Sequence, residues 1–534
     1  MKIKKLWVSE YKNLKNLEFE FKDGKLISLL VGQNGFGKSN LIEILTMIFR
    51  SLFEHTSLKK AKEWSEENNM LEYEIEYSCK RKHLKISGKY QSFEIEQKTE
   101  ESFTKLNFTE FSKSRKEYLP DYILGYYSGN SPRLKNLIED IEKDEKSKLK
   151  QDQQREGKLN PSLRPFIFTQ VHHSEIILFT LVLFLKDSRY QKFINSLLRN
   201  YINLDYVHDF LIEFNNPDWP LKIGKNNYSM EYLYANLYDS VEYPFWHLKG
   251  KINELLNFLN DYNIGDPNYL VAEKSEEISE LKDDVKELLQ FDNPNVEKIL
   301  TEIKDRYETP KDFFDAIDAC EIVGIIHRIE TEVLKTNGTN PIDFYNLSEG
   351  EQQLITTIGL IIIFSEYDTL FLFDEPDTHL NPKWQRHYID MIKEFMPADH
   401  AANSHLIIAT HSPLLVQAAD ENSDLFLFRL SDNQEKIIVD YHDTRVPNWR
   451  VDHVLLSKYF DLTSTRPNRI DPFIEERKKI IAKKKLTKKD LKFLEESKNE
   501  IGYLPTGETI EELLDKVLLR ETADTLRNNR NDSN

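Results

Sequence analysis

One stretch of eight residues constrains this chain more than any other: Gly32-Gln33-Asn34-Gly35-Phe36-Gly37-Lys38-Ser39. It fits the phosphate-loop pattern in full. It follows the apolar run Leu26 to Val31 and opens into Asn40 to Phe49, where apolar residues recur at helical spacing. A glycine-rich loop between a strand and a helix turns backbone N–H groups inward around phosphates, and the helix start adds unpaired donors and a favourable dipole. The expected fold is therefore α/β, with Asn34, Gly35, Phe36, Gly37, Lys38, Ser39 and Asn40 around a nucleotide. Lys38 is expected to reach the β- and γ-phosphates, and Ser39 to bind Mg²⁺.

A second strong signal is Leu370-Phe371-Leu372-Phe373-Asp374-Glu375-Pro376-Asp377. A buried strand that ends in adjacent carboxylates suits hydrolysis of a bound nucleotide, with Asp374 for the metal and Glu375 for the attacking water. A third is Leu347-Ser348-Glu349-Gly350-Glu351-Gln352-Gln353. Ser348 with Glu351 reads as a capping box, and a capped helix start with a serine and a glycine is also a good γ-phosphate site.

At 534 residues, two or three structural units are expected. The balance is 72 basic against 90 acidic residues, so 72 − 90 = −18, which rules out a blanket basic surface for nucleic acid but not a local patch. Cys79 and Cys320 are the only cysteines, too few for a disulfide framework or a four-cysteine zinc site, and point to a reducing cytosol. Met1 to Trp7 has no apolar signal core behind its lysines. The longest apolar runs, Ile176 to Leu185 and Leu354 to Phe364, are shorter than the ~18–20 residues that span a bilayer. A cytoplasmic protein without a membrane segment is expected.

Alternation predicts strands around Ile3, Leu6 and Val8 and around Leu17, Phe19 and Phe21, with a turn at Asp23-Gly24. Residues 71 to 97 alternate again (Leu71, Tyr73, Ile75, Tyr77, then Leu84, Ile86, Phe93 and Ile95) and predict an antiparallel meander. Helical spacing dominates from about 190 to 335, as in Ile278, Leu281, Val285, Leu288 and Leu289, while Gly265, Pro267 and Pro294 rule out a long coiled coil. The tail is expected to be helical, with capping boxes at Thr487–Asp490 and Thr509–Glu512. Four regions follow: 1–190, the N-terminal half of an ATPase head; 191–334, a helical insertion; 335–445, the C-terminal half of the head; and 446–534, a helical accessory region. In that last region Leu455, Leu456, Tyr459 and Phe460 could form an exposed docking stripe.

Together these motifs resemble the ABC-type ATPase heads of the SMC and RecF class. Leu347 to Gln352 resembles that family's signature, with Glu349 where transport cassettes usually carry glycine. Asp377-Thr378-His379-Leu380-Asn381-Pro382 resembles its D-loop, and Thr410-His411-Ser412 its switch histidine. Tyr11-Lys12-Asn13-Leu14 resembles its amino-terminal nucleotide-side motif. The resemblance implies an ABC-type head with an antiparallel β subdomain, ATP and Mg²⁺ as cofactors, and slow ATPase chemistry in which Glu375 and His411 are catalytic. It adds Lys12, Asn13, Ser348, Gly350, Glu351 and Asp377 to the nucleotide contacts. The family's metal-side Q-loop glutamine is either Gln170, after Pro165 to Phe168, or a position at the end of Ile123 to Gly129. The resemblance also implies a homodimer or higher oligomer.

Tyr126-Tyr127-Ser128-Gly129 with Arg133-Leu134, and Tyr459 to Arg466, resemble the PtuA ATPases of Septu and retron-associated antiphage systems. That implies a regulatory subunit acting with an HNH nuclease of the PtuB kind and, in retron systems, beside a reverse transcriptase and its RNA–DNA. No intrinsic nuclease is expected. The region after 445 lacks the acidic-ended strands of a Toprim domain, and Glu94-Ile95-Glu96-Gln97-Lys98 alternates as a plain strand. The alternative is a RecF-like repair ATPase acting directly on DNA. Its sequence basis is the basic run Arg477-Lys478-Lys479, Lys483-Lys484-Lys485 and Lys488-Lys489, interleaved with Glu475, Glu476 and Asp490.

Overall fold

The computed structural model of the protein describes residues 1–55, 71–89, 92–99, 102–129, 133–154, 165–169, 173–215, 221–223, 226–228, 248–263, 287–291, 293–431, 436–441, 449–460, 462, 467–481, 483 and 487–501. Its centre is a seven-stranded sheet in the order 437–441, 423–430, 27–32, 404–409, 369–374, 122–127, 166–169. All neighbours run parallel except Ile437–Tyr441, which turns back against Ser423–Leu430.

Successive side chains of a strand point to opposite faces, so a sheet covered on both sides needs unbroken apolar runs. The central strands show this directly. Leu29, Val31, Phe371, Phe373, Leu406 and Ile408 face one core, while Leu30, Leu370, Leu372, Ile407 and Ala409 face the other. The first core is closed by the helices Ser174–Leu183, Glu349–Phe364 and Pro382–Phe395, and it also contains Cys320. The second is closed by the helix Lys38–Glu54 and a six-stranded antiparallel sheet, and it contains Cys79.

That antiparallel sheet runs in the order 14–20, 2–11, 73–79, 82–89, 92–99, 102–105 and includes the predicted meander. Tyr73, Ile75 and Tyr77 are buried and the glutamates between them are half-buried, as alternation requires. Phe49 of the phosphate-loop helix meets Tyr77 edge to face at 5.5 Å, which fixes the helix against the sheet.

The insertion differs from the expectation of a mostly helical region. It contains the helices Gly250–Asn260, Asn293–Arg306 and Pro310–Val323, but also a four-stranded antiparallel sheet in the order 287–291, 204–214, 326–335, 342–343. The strand Leu204–Phe214 has register shifts after Leu204 and after Val207, so over its first seven residues the buried positions are Leu204, Val207 and Phe210. Bulges have given a strand the three-residue spacing of a helix. Leu288 and Leu289 lie in the strand Glu287–Phe291 rather than a helix, and Ile278, Leu281 and Val285 lie outside the described residues.

The tail carries the helices Val451–Leu455, Asp471–Ile481 and Lys488–Ile501. The Thr487–Asp490 box forms, with Thr487 N–H donating to Asp490 at 2.8 Å and Asp490 N–H to the Thr487 hydroxyl at 3.2 Å. The Thr509–Glu512 pair lies outside the described residues, as do Asp461 and Thr463 to Arg466. The expected docking stripe is not exposed. Tyr459 is 2% exposed within the first core, and Leu455, Leu456 and Phe460 are half-buried. Apolar side chains next to an open core cover it instead of facing water. Among the described residues, no helix is long and apolar enough to cross a membrane.

Candidate active site

The phosphate loop leaves the fully buried strand Ile27–Gly32 and enters the helix Lys38–Glu54 through Gly37, whose φ of 94° is a left-handed conformation that favours glycine. Gln33, Asn34 and Gly35 are exposed, Phe36 is half-buried, and Lys38 and Asn40 are buried. Asn13 donates to the Gly35 carbonyl at 2.5 Å, and Asn40 donates to the Asn13 side chain at 2.6 Å. The amino-terminal motif thus braces the loop from one side. The Lys38 ammonium donates to the carbonyls of Gly32 at 2.7 Å and Gln33 at 3.1 Å. Burial pushes its pKa down to about 8, although Glu375 and Asp374 pull the other way.

The strand Thr369–Asp374 pairs in parallel with both 404–409 and 122–127, which places its acidic end beside the loop. Asp374 is 1% exposed, and burial pushes its pKa up to about 6, partly offset by a hydrogen bond from Ser39. Its Oδ2 has no hydrogen-bond partner among the described residues. A buried carboxylate oxygen without a donor, beside a hydroxyl and next to a phosphate loop, fits a hard divalent cation. Asp374 and Ser39 would hold Mg²⁺.

Glu375 follows at φ 55°, a conformation that costs a non-glycine residue roughly 1–3 kcal/mol. Its N–H donates to the Ala409 carbonyl at 2.8 Å, and its carbonyl accepts from Thr378 at 3.0 Å and from Gln353 at 3.3 Å. Its Oε1 lies 2.9 Å from Nε2 of His411, and that hydrogen bond holds its pKa below the usual carboxylate value. Nδ1 of His411 faces the Lys38 ammonium at 3.4 Å. A carboxylate only accepts and an ammonium only donates, so these partners select the neutral Nε2–H form of the ring. Lys38, Ser39, Asp374, Glu375 and His411, singled out from three separate motifs, therefore form one site.

Other expected contacts are placed differently. Asp377 is 4% exposed and accepts from the Thr410 hydroxyl at 3.0 Å through each oxygen, so its carboxylate is turned into the protein. Burial pushes its pKa up to about 6. Lys12 points at Glu43 on the loop helix and forms an ion pair with it. Glu351 closes the expected capping box with Ser348 and pairs with Lys335. Both carboxylates are thereby committed to the fold. Gln170 lies outside the described residues. The competing position, at the end of Ile123 to Gly129, adjoins the acidic strand end: Ser128 N–H donates to the Asp374 carbonyl at 3.3 Å.

Ser348 is exposed at the start of the helix Glu349–Phe364, while Gly350 is buried. A Cβ on Gly350 would stand 2.5 Å from the His379 carbonyl oxygen, so only glycine allows this approach. Glu349 pairs with His379 Nδ1 at 2.9 Å.

Sequence reasoning assigned no site role to Glu43 or Gln353, and took Arg133 only as part of a resemblance. Glu43, 2% exposed, receives the Tyr11 hydroxyl at 2.9 Å and pairs with Arg133 at 2.7 Å. Arg133 also donates to Asn40 at 2.7 Å. Gln353 is fully buried in the signature helix. For Glu43 and Gln353 the available signal was a carboxylate or amide side chain on the buried side of a helix.

Comparison with known proteins adds the family. The AAA ATPase domain family matches residues 1–416. The chain is 29% identical over 164 residues to the Septu protein PtuA of Bacillus thuringiensis, covering 26% of this chain and 40% of that protein. It is 31% identical over 135 residues to the retron Vc95 probable ATPase of Vibrio cholerae serotype O1 biovar El Tor, covering 23% of this chain and 25% of that protein. The matches thus span less than half the length of either relative. Among solved structures, an SMC head bound to the C-terminal winged-helix domain of ScpA is similar over 83% of this chain and 98% of that chain, with 13% identity and a TM-score of 0.33. The recombination mediator RecF with ATP is similar over 83% and 97%, with 15% identity and a TM-score of 0.29.

Proposed function

This chain belongs to the AAA ATPase domain family, and on that premise we propose that it is the ATP-binding and ATP-hydrolysing subunit of an antiphage defence complex, dimerising around ATP and controlling a partner HNH nuclease. The observation that carries the chemical part is the convergence of Lys38, Asp374, Glu375 and His411, with one Asp374 oxygen left unpaired. The likeness to a Septu PtuA and a retron ATPase supports the defence setting.

Mg²⁺, when bound, would neutralise phosphate charge as the γ-phosphoryl group transfers. Lys38 exchanges its carbonyl partners for the β- and γ-phosphates. Glu375 orients a water and takes a proton from it as the water oxygen bonds to the γ-phosphorus and the bond to the bridging oxygen breaks. His411, already on Glu375, is placed to follow the γ-phosphate. Turnover is slow, as suits a regulatory subunit.

The exposed, capped signature start supports a two-fold assembly in which Ser348 and the backbone at Gly350 complete the site of a second copy. The assembly test is sedimentation of Glu375→Gln with and without Mg²⁺–ATP, where an ATP-dependent shift from monomer to dimer is expected. A strictly monomeric chain with full ATPase activity would refute the sandwich. The partner test is capture of a co-expressed HNH nuclease by the full chain in both nucleotide states. No capture in either state, together with salt-dependent DNA binding that is lost when Lys483 to Lys485 and Lys488-Lys489 are neutralised, would transfer the assignment to a DNA-acting repair ATPase.

A further inference from the structure

We propose that Gln353 is a positioning residue for hydrolysis: it holds the backbone of Glu375 in its strained conformation and ties that residue to the start of the signature helix. The inference rests on the ATPase reading above and adds to it a route between the two ends of the site.

Gln353 is 0% exposed in a helix whose following residues, Leu354 to Ile358, are all buried. A primary amide buried among aliphatic side chains is costly unless both its ends are bonded. Both are. Nε2 donates to the Glu375 carbonyl at 3.3 Å, and Oε1 accepts from the His379 N–H at 3.0 Å. One side chain therefore bridges the first and last residues of the turn that carries Glu375.

The first turn of the helix grips the same segment twice more. Glu349 pairs with the His379 ring at 2.9 Å, and Gly350 lies directly under the His379 carbonyl. Glu349 and Gln353 thus tie the start of the helix to the turn 375–379, with Gly350 packed against its end. Glu375 remains at φ 55° because its N–H and its carbonyl are both held, by Ala409 on one side and by Thr378 and Gln353 on the other. Releasing the Gln353 bond lets the carbonyl turn and takes the Glu375 carboxylate away from His411. In the two-fold assembly the helix start meets the nucleotide of the second copy. Gln353 then connects that contact to this chain's own water-orienting carboxylate.

The experiment compares Gln353→Met, which keeps the side-chain length but removes both bonds, with Gln353→Glu, which when ionised keeps the acceptance from His379 and loses the donation to Glu375. Single-turnover hydrolysis, Mg²⁺–ATP affinity from a fluorescent ATP analogue, and the melting temperature are measured on the full chain. A lost positioning contact should slow the hydrolytic step on the order of 10- to 100-fold with affinity unchanged, because the phosphate loop is untouched. A rate equal to the parent's in a folded variant overturns the role, and so does a fall in affinity that keeps step with the rate. Should Gln353→Met fail to fold, Gln353→Glu decides alone. Glu375→Gln separates the two readings. If the parent hydrolyses ATP, Glu375→Gln does not, and the Gln353 variants match the parent, only the positioning role falls. A parent chain without hydrolysis removes both.

Discussion

Nε2 of His411 lies 2.9 Å from Oε1 of Glu375. The two residues come from different strand ends, with the strands 369–374 and 404–409 running in parallel and in register from Thr369↔Ser404 to Asp374↔Ala409. Parallel pairing brings both strand ends to one edge of the sheet, so the Glu375 carboxylate and the His411 ring meet without any long side chain having to reach.

The first expectation concerns this pair. Glu375→Gln keeps shape and hydrogen bonding but removes the charge that polarises water. Hydrolysis should fall by about 10²–10³, the usual loss for one preorganised group. ATP binding should persist. Single-turnover assays alongside binding measurements check it, and hydrolysis at the parental rate would remove Glu375 from its role.

Lys38 should show opposed effects on function and stability. Its buried ammonium has a pKa near 8 against 10.5 when free, so the folded chain is penalised for carrying the charge below pH 8. Lys38→Met should raise the melting temperature of the nucleotide-free protein. The gain should be full below pH 8 and shrink as the pH rises towards 10.5, while ATP affinity collapses at every pH. Calorimetry across pH 7 to 10 reads the first effect, and equilibrium dialysis the second.

Asp374→Asn makes the complementary case. The native carboxyl has a pKa near 6 against 3.8 when free, so its ionisation opposes folding once the pH exceeds that range. The nucleotide-free variant should melt higher than the parent at pH 8 and lose that advantage as the pH falls towards 4. Its nucleotide affinity should no longer rise when Mg²⁺ is added. A preserved Mg²⁺ effect would move the metal elsewhere.

Gly350→Val is expected to damage the fold and the site together. Its Cβ would stand 2.5 Å from the His379 carbonyl oxygen, and His379 is held at its backbone N–H by Gln353 and at its ring by Glu349. Overpacking of this kind typically costs about 1–3 kcal/mol. A lowered melting temperature with reduced ATPase activity is the expected pair of readings. A variant that melts and turns over like the parent would show that the helix start can move away.

Local chemistry made much of this legible. The phosphate loop, the acidic strand end and the Ser348–Glu351 box each fit within about a dozen residues, where glycine freedom, burial and capping act over short range. Relations between distant segments were not legible. The strand Leu204–Phe214 pairs with Ile326–Lys335, more than a hundred residues on, and its bulges disguised the period that would have marked it. Arg133 meets Glu43 although the two lie 90 positions apart, and nothing in either neighbourhood announces the other. Asp377 has the right sequence for the D-loop, yet Thr410 takes its carboxylate inward.

The two cysteines are 1% and 0% exposed, and they belong to opposite faces of the central sheet. Burial pushes the Cys79 thiol up to about 12 and that of Cys320 higher still, so neither offers a thiolate to a reagent while its core is closed. Alkylation kinetics thereby become an opening clock with two independent hands. Equal rates at both thiols would mean that the protein opens as a single cooperative unit, and faster modification at Cys79 would mean that the antiparallel sheet lifts from the head first.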